Sequence, residues 1–231
     1  MLVYGKNVAK EILKNNKLVY KILIEESFND KEIISLIEKK KIPLEYLDKK
    51  EISKFAKYSH QGIILDIEDF IYEDIDNLKA VDNAILVILD HLEDPHNLGA
   101  IIRTSEAAGI TGIIIPKDRS VEVNSTVMKT SAGALENMKI ARVTNLVETM
   151  KNLKKEGFWI VGTDMENSVD YRTIDYKGKI ALVIGSEGFG MSKLVQKECD
   201  FIANIPMHGK INSLNASVAA GIMIYEVIRN R

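Results

Sequence analysis

Three polar stretches of the chain contain the residues best suited to chemistry. They cover 90–99, 185–190 and 205–217, and together they combine asparagine, serine, histidine and carboxylate side chains with glycine. Each stretch follows a run of apolar residues that predicts a buried strand. Ligands bind to parallel sheets at the carboxyl ends of the strands, so the three stretches are predicted to form loops at a binding site.

Asn97 and Arg103 are the candidate residues of the first stretch. Asn97 occupies a position that suits the N-cap of a helix, because its side chain can accept a hydrogen bond from an unpaired backbone N–H. Arg103 follows within the same predicted helix, directly after Ile101 and Ile102. A guanidinium among apolar positions is costly unless it is paired or faces a site. Two interpretations stay open: Arg103 faces a site, or it extends outward to solvent.

The second stretch is rich in glycine but does not match a nucleotide-binding motif. Its spacing, G-x-x-G-x-G over 185–190, is the reverse of the dinucleotide fingerprint, and no G-x-x-x-x-G-K-[ST] occurs in the chain. These observations exclude an NAD site and a P-loop. The glycines allow close approach to the backbone, and Glu187 places a carboxylate beside them. A binding loop and a plain tight turn are both compatible with this pattern.

Metal and hydrolase chemistry have little support. His91 and His96 are five residues apart, whereas helical zinc pairs use a spacing of four, so no metal is expected. The chain has no G-x-S-x-G elbow. Cys199 is the only cysteine and is predicted to be a packed residue near a helix end. A single cysteine excludes an intramolecular disulfide and fits a reducing, cytoplasmic location.

The third stretch runs into an unusually apolar helix. Ser213 or Asn215 can cap this helix, which is predicted over about 214–228. The helix is apolar almost all round, with only Ser217, Glu226 and its end clearly polar. Such a helix cannot leave one face in water, so it is predicted to be buried in a large core or against a partner chain.

The elements around these loops alternate between strand and helix. Strands are predicted at 84–90, 112–115, 138–142, 158–163, 180–185 and 201–205. Helices are predicted at 98–108, 122–132, 144–156, 191–199 and 213–229. This alternation is typical of an α/β fold with a doubly wound parallel sheet.

The first part of the chain predicts a smaller α/β domain over 1–68. Its strands are predicted at 18–25, 42–47 and 63–67, and its helices at 4–15, 30–41 and 48–57. An acidic stretch over 69–83 is interpreted as a linker, which could instead contain a short helix around 73–80. The second domain is then 84–231.

Composition limits the classes of partner. The 231 residues have a formal net charge of −2, which argues against non-specific binding of polyanions but leaves a local basic patch open. No apolar run is long enough for a transmembrane helix, and the first residues do not resemble a signal peptide. A protein without membrane attachment is expected.

Taken together, the three stretches resemble the SpoU (TrmH-like) branch of the SPOUT RNA methyltransferases. NLGAIIRT at 97–104 is similar to the first family motif and IGSEG at 184–188 to the second. IPM at 205–207 with SLNASVA at 213–219 is similar to the third. The motifs occur in order across 84–231, and only 210–212 departs mildly from the family pattern. The first domain resembles the family's small substrate-binding domain, which is similar to ribosomal protein L30e.

The resemblance implies a fold, a cofactor and a site. The implied fold is a Rossmann-like parallel sheet with a C-terminal deep trefoil knot, in which the chain after about Ala181 threads back through a loop. The methyl donor is S-adenosylmethionine and the acceptor is a ribose 2′-hydroxyl of RNA. The implied catalytic residues are Asn97, Arg103, Glu187, Ser213 and Asn215. The implied cofactor-binding residues are Gly162, Thr163, Ile184, Gly185, Gly188, Ile205, Met207, Ser213 and Leu214.

The family also suggests roles and partners. Arg103 is expected to accept the proton of the 2′-hydroxyl with help from the substrate phosphate, or to hold that phosphate. A homodimer through the last helix is implied. The layout is closest to the 23S rRNA guanosine 2′-O-methyltransferases (RlmB-type), with a tRNA 2′-O-methyltransferase and a non-catalytic RNA-binding module as alternatives. RNA contacts are predicted for Lys6, Lys117, Arg119, Lys129 and Arg142.

Overall fold

The computed structural model describes residues 1–15, 17–55, 60–211 and 213–230. Its contacts divide the chain into two units, Met1–Ile71 with Val123–Gly133, and Tyr72–Glu122 with Ala134–Arg231. The segment Val123–Gly133 therefore packs with the first unit, although the sequence places it within the second domain. Within that unit the Ser125 hydroxyl donates to the Tyr4 hydroxyl at 3.4 Å.

Eleven strands and nine α-helices are formed by the described residues. The strands are β1 (Leu2–Tyr4), β2 (Val19–Glu25), β3 (Leu44–Leu47), β4 (Ile63–Ile67), β5 (Ile85–Asp90), β6 (Gly112–Pro116), β7 (Ile140–Val143), β8 (Phe158–Thr163), β9 (Val169–Asp170), β10 (Lys179–Gly185) and β11 (Phe201–Asn204). The α-helices are α1 (Lys6–Lys14), α2 (Lys31–Lys40), α3 (Lys49–Ile52), α4 (Ile75–Lys79), α5 (Pro95–Ala107), α6 (Ser125–Thr130), α7 (Leu146–Lys155), α8 (Lys193–Glu198) and α9 (Ala216–Arg229).

The first unit contains a four-stranded mixed sheet in the order β1-β4-β2-β3. Strand β2 is parallel to β3 and antiparallel to β4, which also pairs antiparallel with β1. Strand β1 was not predicted, because three residues are too few for a periodic pattern and its pairing partners lie 60 to 64 residues away. Helix α3 ends at Ile52, so it is shorter than the predicted 48–57, of which 56 and 57 lie outside the described residues.

The second unit contains a seven-stranded parallel sheet in the order β7-β6-β5-β10-β8-β11-β9. This confirms the predicted α/β fold with a parallel sheet. All six residues of β5 are buried, as are all five of β6, which explains their continuous apolar sequences. Only the two-residue edge strand β9 was missed. No helix in the described part of the chain is long and apolar enough to cross a membrane.

The structure corrects one helix cap and decides between two interpretations of the acidic stretch. The N-cap of α5 is Asp94, whose carboxylate accepts from the backbone N–H groups of His96 and Asn97, so the assignment of Asn97 as N-cap was wrong. Pro95 explains the shift, because proline suits the first position of a helix. The acidic stretch contains α4, as the alternative interpretation predicted, and Leu78 of this helix is fully buried.

Candidate active site

The first two polar loops leave neighbouring strands of the parallel sheet. Asp90 at the end of β5 lies in register with Gly185 at the end of β10. Asp90 is 1% exposed, and its carboxylate accepts from the backbone N–H of Ser192 at 2.6 Å. The other oxygen lies 2.6 Å from Nδ1 of His91. A buried carboxylate thus fixes both loops at their origin, which the sequence pattern did not reveal.

The glycine-rich loop is a tight turn that also forms a cavity wall. Ser186 and Gly190 exchange two backbone hydrogen bonds of 3.0 Å, which close the loop at its base. Gly190 has a φ of 65°, a conformation that residues with a Cβ rarely adopt. A Cβ at Gly185 would lie 2.3 Å from the carbonyl carbon of Gly190. The two interpretations of the sequence are therefore compatible, because the turn is what presents Glu187.

Three residues from the three loops form one hydrogen-bonded triangle. The side-chain amides of Asn97 and Asn215 each donate to Oε1 of Glu187 at 2.6 Å. The amide of Asn215 also donates to Oδ1 of Asn97 at 3.0 Å. Hydrogen bonds to a carboxylate are stronger than those between neutral groups. Oε2 of Glu187 has no partner among the described residues, so it is available to accept from a ligand hydroxyl.

Asn215 links this triangle to the last helix. Its Oδ1 accepts from the backbone N–H of Ser217 at 2.9 Å and of Val218 at 3.4 Å. This confirms Asn215 as one of the two predicted caps of the helix, which begins at Ala216. The side chain uses its oxygen for the cap and its amide for Glu187. A substitution there would disturb the helix end and the triangle together.

A cavity of about 540 Å³, here named the first cavity, lies beside the triangle. The predicted site residues that line it are Thr163, Ile184, Gly185, Glu187, Gly188, Ile205, Met207, Ser213, Leu214 and Asn215. Asp164, Met165, Ala203 and Ala219 also line it and were not predicted. No Lys, Arg or His side chain contributes to the lining formed by described residues. Such a cavity suits a ligand that bears a positive charge.

Three of the predicted residues lie outside this lining. Asn97 is 5% exposed and acts on the cavity only through Glu187 and Asn215. Gly162 packs into the interior, since a Cβ there would lie 2.7 Å from Sγ of Cys199. Arg103 is exposed and forms no hydrogen bond or ion pair with a described residue. Six helical positions separate it from Asn97, which turns it to a different face of α5.

A second cavity of about 790 Å³ lies against the same glycine-rich loop. It shares Ser186, Glu187 and Gly190 with the first cavity. The side chains that distinguish it are His91, Glu93, Arg119, Phe189, Lys193 and Leu194. Of these residues, Arg119 was predicted to contact RNA, and His91 was considered only as a metal ligand. An aromatic residue between two glycines was the available signal for Phe189.

Cys199 and Arg142, which the sequence also singled out, both contact other residues of the protein. The pKa of the Cys199 thiol is raised to about 12, mainly by burial, so the group is a protonated packing residue at neutral pH. Its Sγ lies 3.5 Å from the carbonyl oxygen of Val195. Arg142 donates to the Glu122 carboxylate at 2.7 Å and lies over the Tyr72 ring. The described residues contain no group of three or more side chains arranged to hold a metal ion.

Comparisons with solved structures agree with this architecture. An AdoMet-bound rRNA methyltransferase from Sinorhizobium meliloti superposes with a TM-score of 0.82 at 27% identity, covering 99% of this chain and 86% of that one. The AviRb SpoU methyltransferase from Streptomyces viridochromogenes, solved with AdoMet, superposes with a TM-score of 0.86 at 23% identity. The match covers 99% of this chain and 89% of that one. A TrmH/SpoU tRNA modifying enzyme from A. aeolicus superposes with a TM-score of 0.59 at 31% identity, covering 68% of this chain and 81% of the other.

Sequence comparisons identify the family. A protein of Bacillus subtilis named "Putative TrmH family tRNA/rRNA methyltransferase YacO" is 44% identical over 99% of this chain and 95% of its own. A relative from Staphylococcus saprophyticus, named as a putative TrmH family tRNA/rRNA methyltransferase, is 45% identical over 100% of this chain and 96% of its own. The profile described as RNA 2′-O ribose methyltransferase substrate binding matches 2–73, and that of the SpoU rRNA Methylase family matches 84–225. The chain therefore belongs to the SpoU family of RNA methyltransferases, whose methyl donor is S-adenosylmethionine.

Proposed function

We propose that this protein is an S-adenosylmethionine-dependent RNA methyltransferase that modifies a ribose 2′-hydroxyl. The observation that supports this best is the triangle of Asn97, Glu187 and Asn215 at the edge of the first cavity. It joins the three family motifs across separations of 90, 118 and 28 residues. A carboxylate held by two amides has a fixed position, and preorganised polar groups are what an enzyme needs beside a reacting atom.

The first cavity fits the proposed donor in size and charge. Its volume of about 540 Å³ lies within the roughly 300–1,000 Å³ of small-ligand sites. S-adenosylmethionine has a sulfonium cation, and the described lining contains carboxylates but no cationic side chain. Gly185, Ile205 and Leu214 are proposed to contact it through backbone groups, and Thr163 is proposed to line the side of the cavity that takes the adenosine. When bound, the donor supplies an activated methyl group, so the protein needs only to place and deprotonate the acceptor.

The residues of this chain are proposed to act on the acceptor hydroxyl. A 2′-hydroxyl is a weak nucleophile at neutral pH and has to be oriented and relieved of its proton. Oε2 of Glu187 is positioned to accept from a ribose hydroxyl, and Ser213 lies at the same cavity wall. Arg103 is proposed to accept the proton with help from the substrate phosphate. Because it does not line the cavity of its own chain, we propose that it acts in the site of a partner subunit.

A homodimer through α9 is also proposed, and the exposed face of that helix supports it. Val218 is 50% exposed and Tyr225 is 53% exposed, although α9 also buries Ala220, Met223 and Ile224 within its own chain. Positions 218 and 225 are seven residues apart and therefore share one helix face. Covering this face would satisfy the apolar pattern of the whole helix. Light scattering at micromolar concentration tests the dimer, and a monomer would contradict it.

The deep trefoil knot is proposed as part of the same fold. Strand β10 lies between β5 and β8 in the sheet, so the chain re-enters the sheet at its middle late in the sequence. The segments that contain Thr163, Gly185, Ile205 and Leu214 then all meet at the first cavity. Passage of the chain after about Ala181 through an earlier loop would hold these segments together. The smaller unit is proposed to be an L30e-like domain that binds the RNA substrate.

Ribosomal RNA is the proposed substrate, with a guanosine of 23S rRNA as the modified nucleotide. The share of this chain that each solved structure matches supports the ribosomal substrate. The match to the Sinorhizobium meliloti rRNA methyltransferase extends over 99% of this chain, whereas the match to the tRNA modifying enzyme extends over 68%. A tRNA methyltransferase is the second proposal. A non-catalytic RNA-binding module is the proposal of another class, and the presence of Asn97, Glu187 and Asn215 in one triangle argues against it.

Methylation of defined RNA pools tests these proposals together. Purified protein would be incubated with labelled S-adenosylmethionine and with rRNA or tRNA from a strain lacking the gene, and mass spectrometry would locate the modified ribose. We expect a single 2′-O-methylated nucleotide in 23S rRNA. Label on a base would contradict ribose specificity, label in tRNA alone would favour the second proposal, and RNA binding without label would favour the non-catalytic module.

A further inference from the structure

Phe189 is an exposed aromatic side chain held at the tip of a well-fixed loop. It is 93% exposed, the largest exposed fraction among the large apolar side chains described. The loop is closed at its base by the two hydrogen bonds between Ser186 and Gly190. Near its tip it is held by Glu187, whose carboxylate accepts from Asn97 and Asn215. An apolar ring fixed in water, rather than folded back onto the protein, is available for a ligand.

The ring lines the second cavity, which adjoins the proposed methyl-donor site. Ser186, Glu187 and Gly190 belong to the walls of both cavities. A ligand in the second cavity is therefore next to the carboxylate that we propose to orient the acceptor hydroxyl. The cavity volume of about 790 Å³ exceeds that of the first and is large enough for a nucleotide.

Two cationic side chains of the second cavity are available to bind a phosphate group. Arg119 and Lys193 are exposed there, and neither side chain forms a hydrogen bond or ion pair with a described residue. Three carboxylates in the wall already have protein partners, namely Asp90 with Ser192, Asp94 with the start of α5, and Glu187 with the two asparagines. Glu93 is the remaining carboxylate, and it is exposed to solvent. Arg119 and Lys193 are thus available to pair with a phosphate, within a wall that also contains these four carboxylates.

We infer that the second cavity binds the acceptor nucleotide of the RNA, with its base stacked on Phe189 and its phosphate backbone near Arg119. Unpaired RNA bases are commonly held by stacking on aromatic side chains, which accept every base because each has a π-face. Stacking would place the ribose toward Glu187 and the first cavity. The inference rests on the proposed function, because it assigns a substrate site to the same enzyme.

Substitutions at Phe189 test the stacking contact. The measurements are binding of an in vitro transcribed ribosomal RNA fragment by fluorescence anisotropy, affinity for S-adenosylmethionine by calorimetry, and the KM for RNA. F189A and F189L are expected to weaken RNA binding by about 5- to 150-fold, the range that loss of base stacking on an aromatic produces. F189Y and F189W are expected to retain it, and affinity for the donor is expected to stay unchanged in all four.

Trp159 provides the matched control. It is an aromatic residue with a 51% exposed side chain in the second unit, near the amino end of β8 and hence at the opposite edge of the sheet. W159A is expected to leave RNA binding unchanged. Full RNA binding by F189A would overturn the inference, and so would full binding by F189L, since leucine keeps apolar contact without a π-face.

The anisotropy measurement separates this inference from the proposed function. RNA that the wild type binds but does not methylate would contradict the proposed activity, while the pattern across the Phe189 variants would still decide the stacking contact. Methylation by the wild type with equal KM for F189A would support the activity and overturn the stacking contact. A wild-type protein that binds no RNA would overturn both.

Discussion

The two cavities on either side of the glycine-rich loop differ in their cationic side chains and in what forms their walls. The first is lined by backbone, small residues, aliphatic side chains and the carboxylates of Asp164 and Glu187, with no cation among its described residues. The second contains Arg119, Lys193 and His91 and the exposed ring of Phe189. One loop, held by Glu187, therefore separates the proposed site of the methyl donor from the proposed site of the RNA. The two ligands can meet at that carboxylate.

The contrast extends to how each cavity is held in place. The first depends on segments far apart in sequence that the fold brings together, because Thr163, Ile184, Ile205 and Leu214 all contribute to it. The second depends on individual side chains that extend from the surface. A substitution in the first cavity should therefore affect binding of the donor, and one in the second should affect binding of RNA.

Arg103→Ala is expected to have the largest effect. Loss of a group that accepts the acceptor proton should lower kcat by about 10²- to 10⁴-fold, with donor affinity within a few-fold of wild type. Single-turnover transfer from labelled S-adenosylmethionine to RNA measures this. Because Arg103 lies in neither cavity of its own chain, a mixed dimer of Arg103→Ala and Glu187→Gln subunits should regain activity. Retained turnover by Arg103→Ala would contradict its role.

Ala219→Phe should damage the first cavity alone. Ala219 lines that cavity near the start of α9, so a phenyl ring would occupy the space of the donor. Overfilling a packed site costs about 1–3 kcal/mol, which corresponds to a loss of donor affinity of about 5- to 150-fold. Calorimetry measures this, and RNA anisotropy should be unchanged. A matching loss of RNA binding would show that the two cavities are not independent.

Arg119→Gln should give the opposite pattern. Loss of one phosphate contact should weaken RNA binding at low salt and reduce the slope of log affinity against log salt by about one. Donor affinity should be unchanged. Lys177→Gln is the control, since Lys177 is an exposed cation that precedes β10 and so lies at the amino edge of the sheet. Equal salt slopes for both variants would argue against Arg119 as a phosphate contact.

Glu226→Gln should have the smallest effect, and it acts on stability rather than on either cavity. Glu226 is 8% exposed, and Arg229 donates to its carboxylate at 2.5 Å and 3.1 Å, which lowers the pKa of Glu226 below its usual 4.5. The stabilisation is therefore present above pH 4.5 and is lost as the pH falls through the lowered pKa.

The substitution should reduce the free energy of unfolding by roughly 1 kcal/mol at neutral pH, a small value because Arg229 is exposed and screened. Urea unfolding across pH measures this, with Glu148→Gln as a control at an exposed carboxylate. A difference between wild type and Glu226→Gln that stays constant as the pH falls below 4.5 would contradict the assignment.

Much of the fold was predictable because long strands leave a strong pattern. The apolar runs of β5, β8 and β10 gave bounds within one residue of those observed. The short strands β1 and β9 were not predictable, because three and two residues contain too little periodicity and depend on pairing with distant strands. The membership of Val123–Gly133 in the first unit was also hidden, since it depends on contacts that sequence order does not imply.

The candidate site was predictable in its residues but not in its contacts. Asn97, Glu187 and Asn215 were all named from motif resemblance, and the structure brings them within 2.6–3.0 Å of one another. The cap of α5 was misassigned because Asp94 followed by Pro95 offers a better start than Asn97. Because Asp94 caps the helix, the side chain of Asn97 is free to donate to Glu187.

The sequence by itself determined the parallel α/β fold, the family and the polar residues of three loops, because buried strands and short motifs are local patterns. Only the tertiary structure decided which of those residues meet. It joined Asn97 to Glu187 and Asn215, turned Arg103 away from them, and placed Phe189 in water beside a second cavity. The physical reason is that hydrogen bonds across 90 or 118 residues depend on strand order and register, which local patterns do not specify.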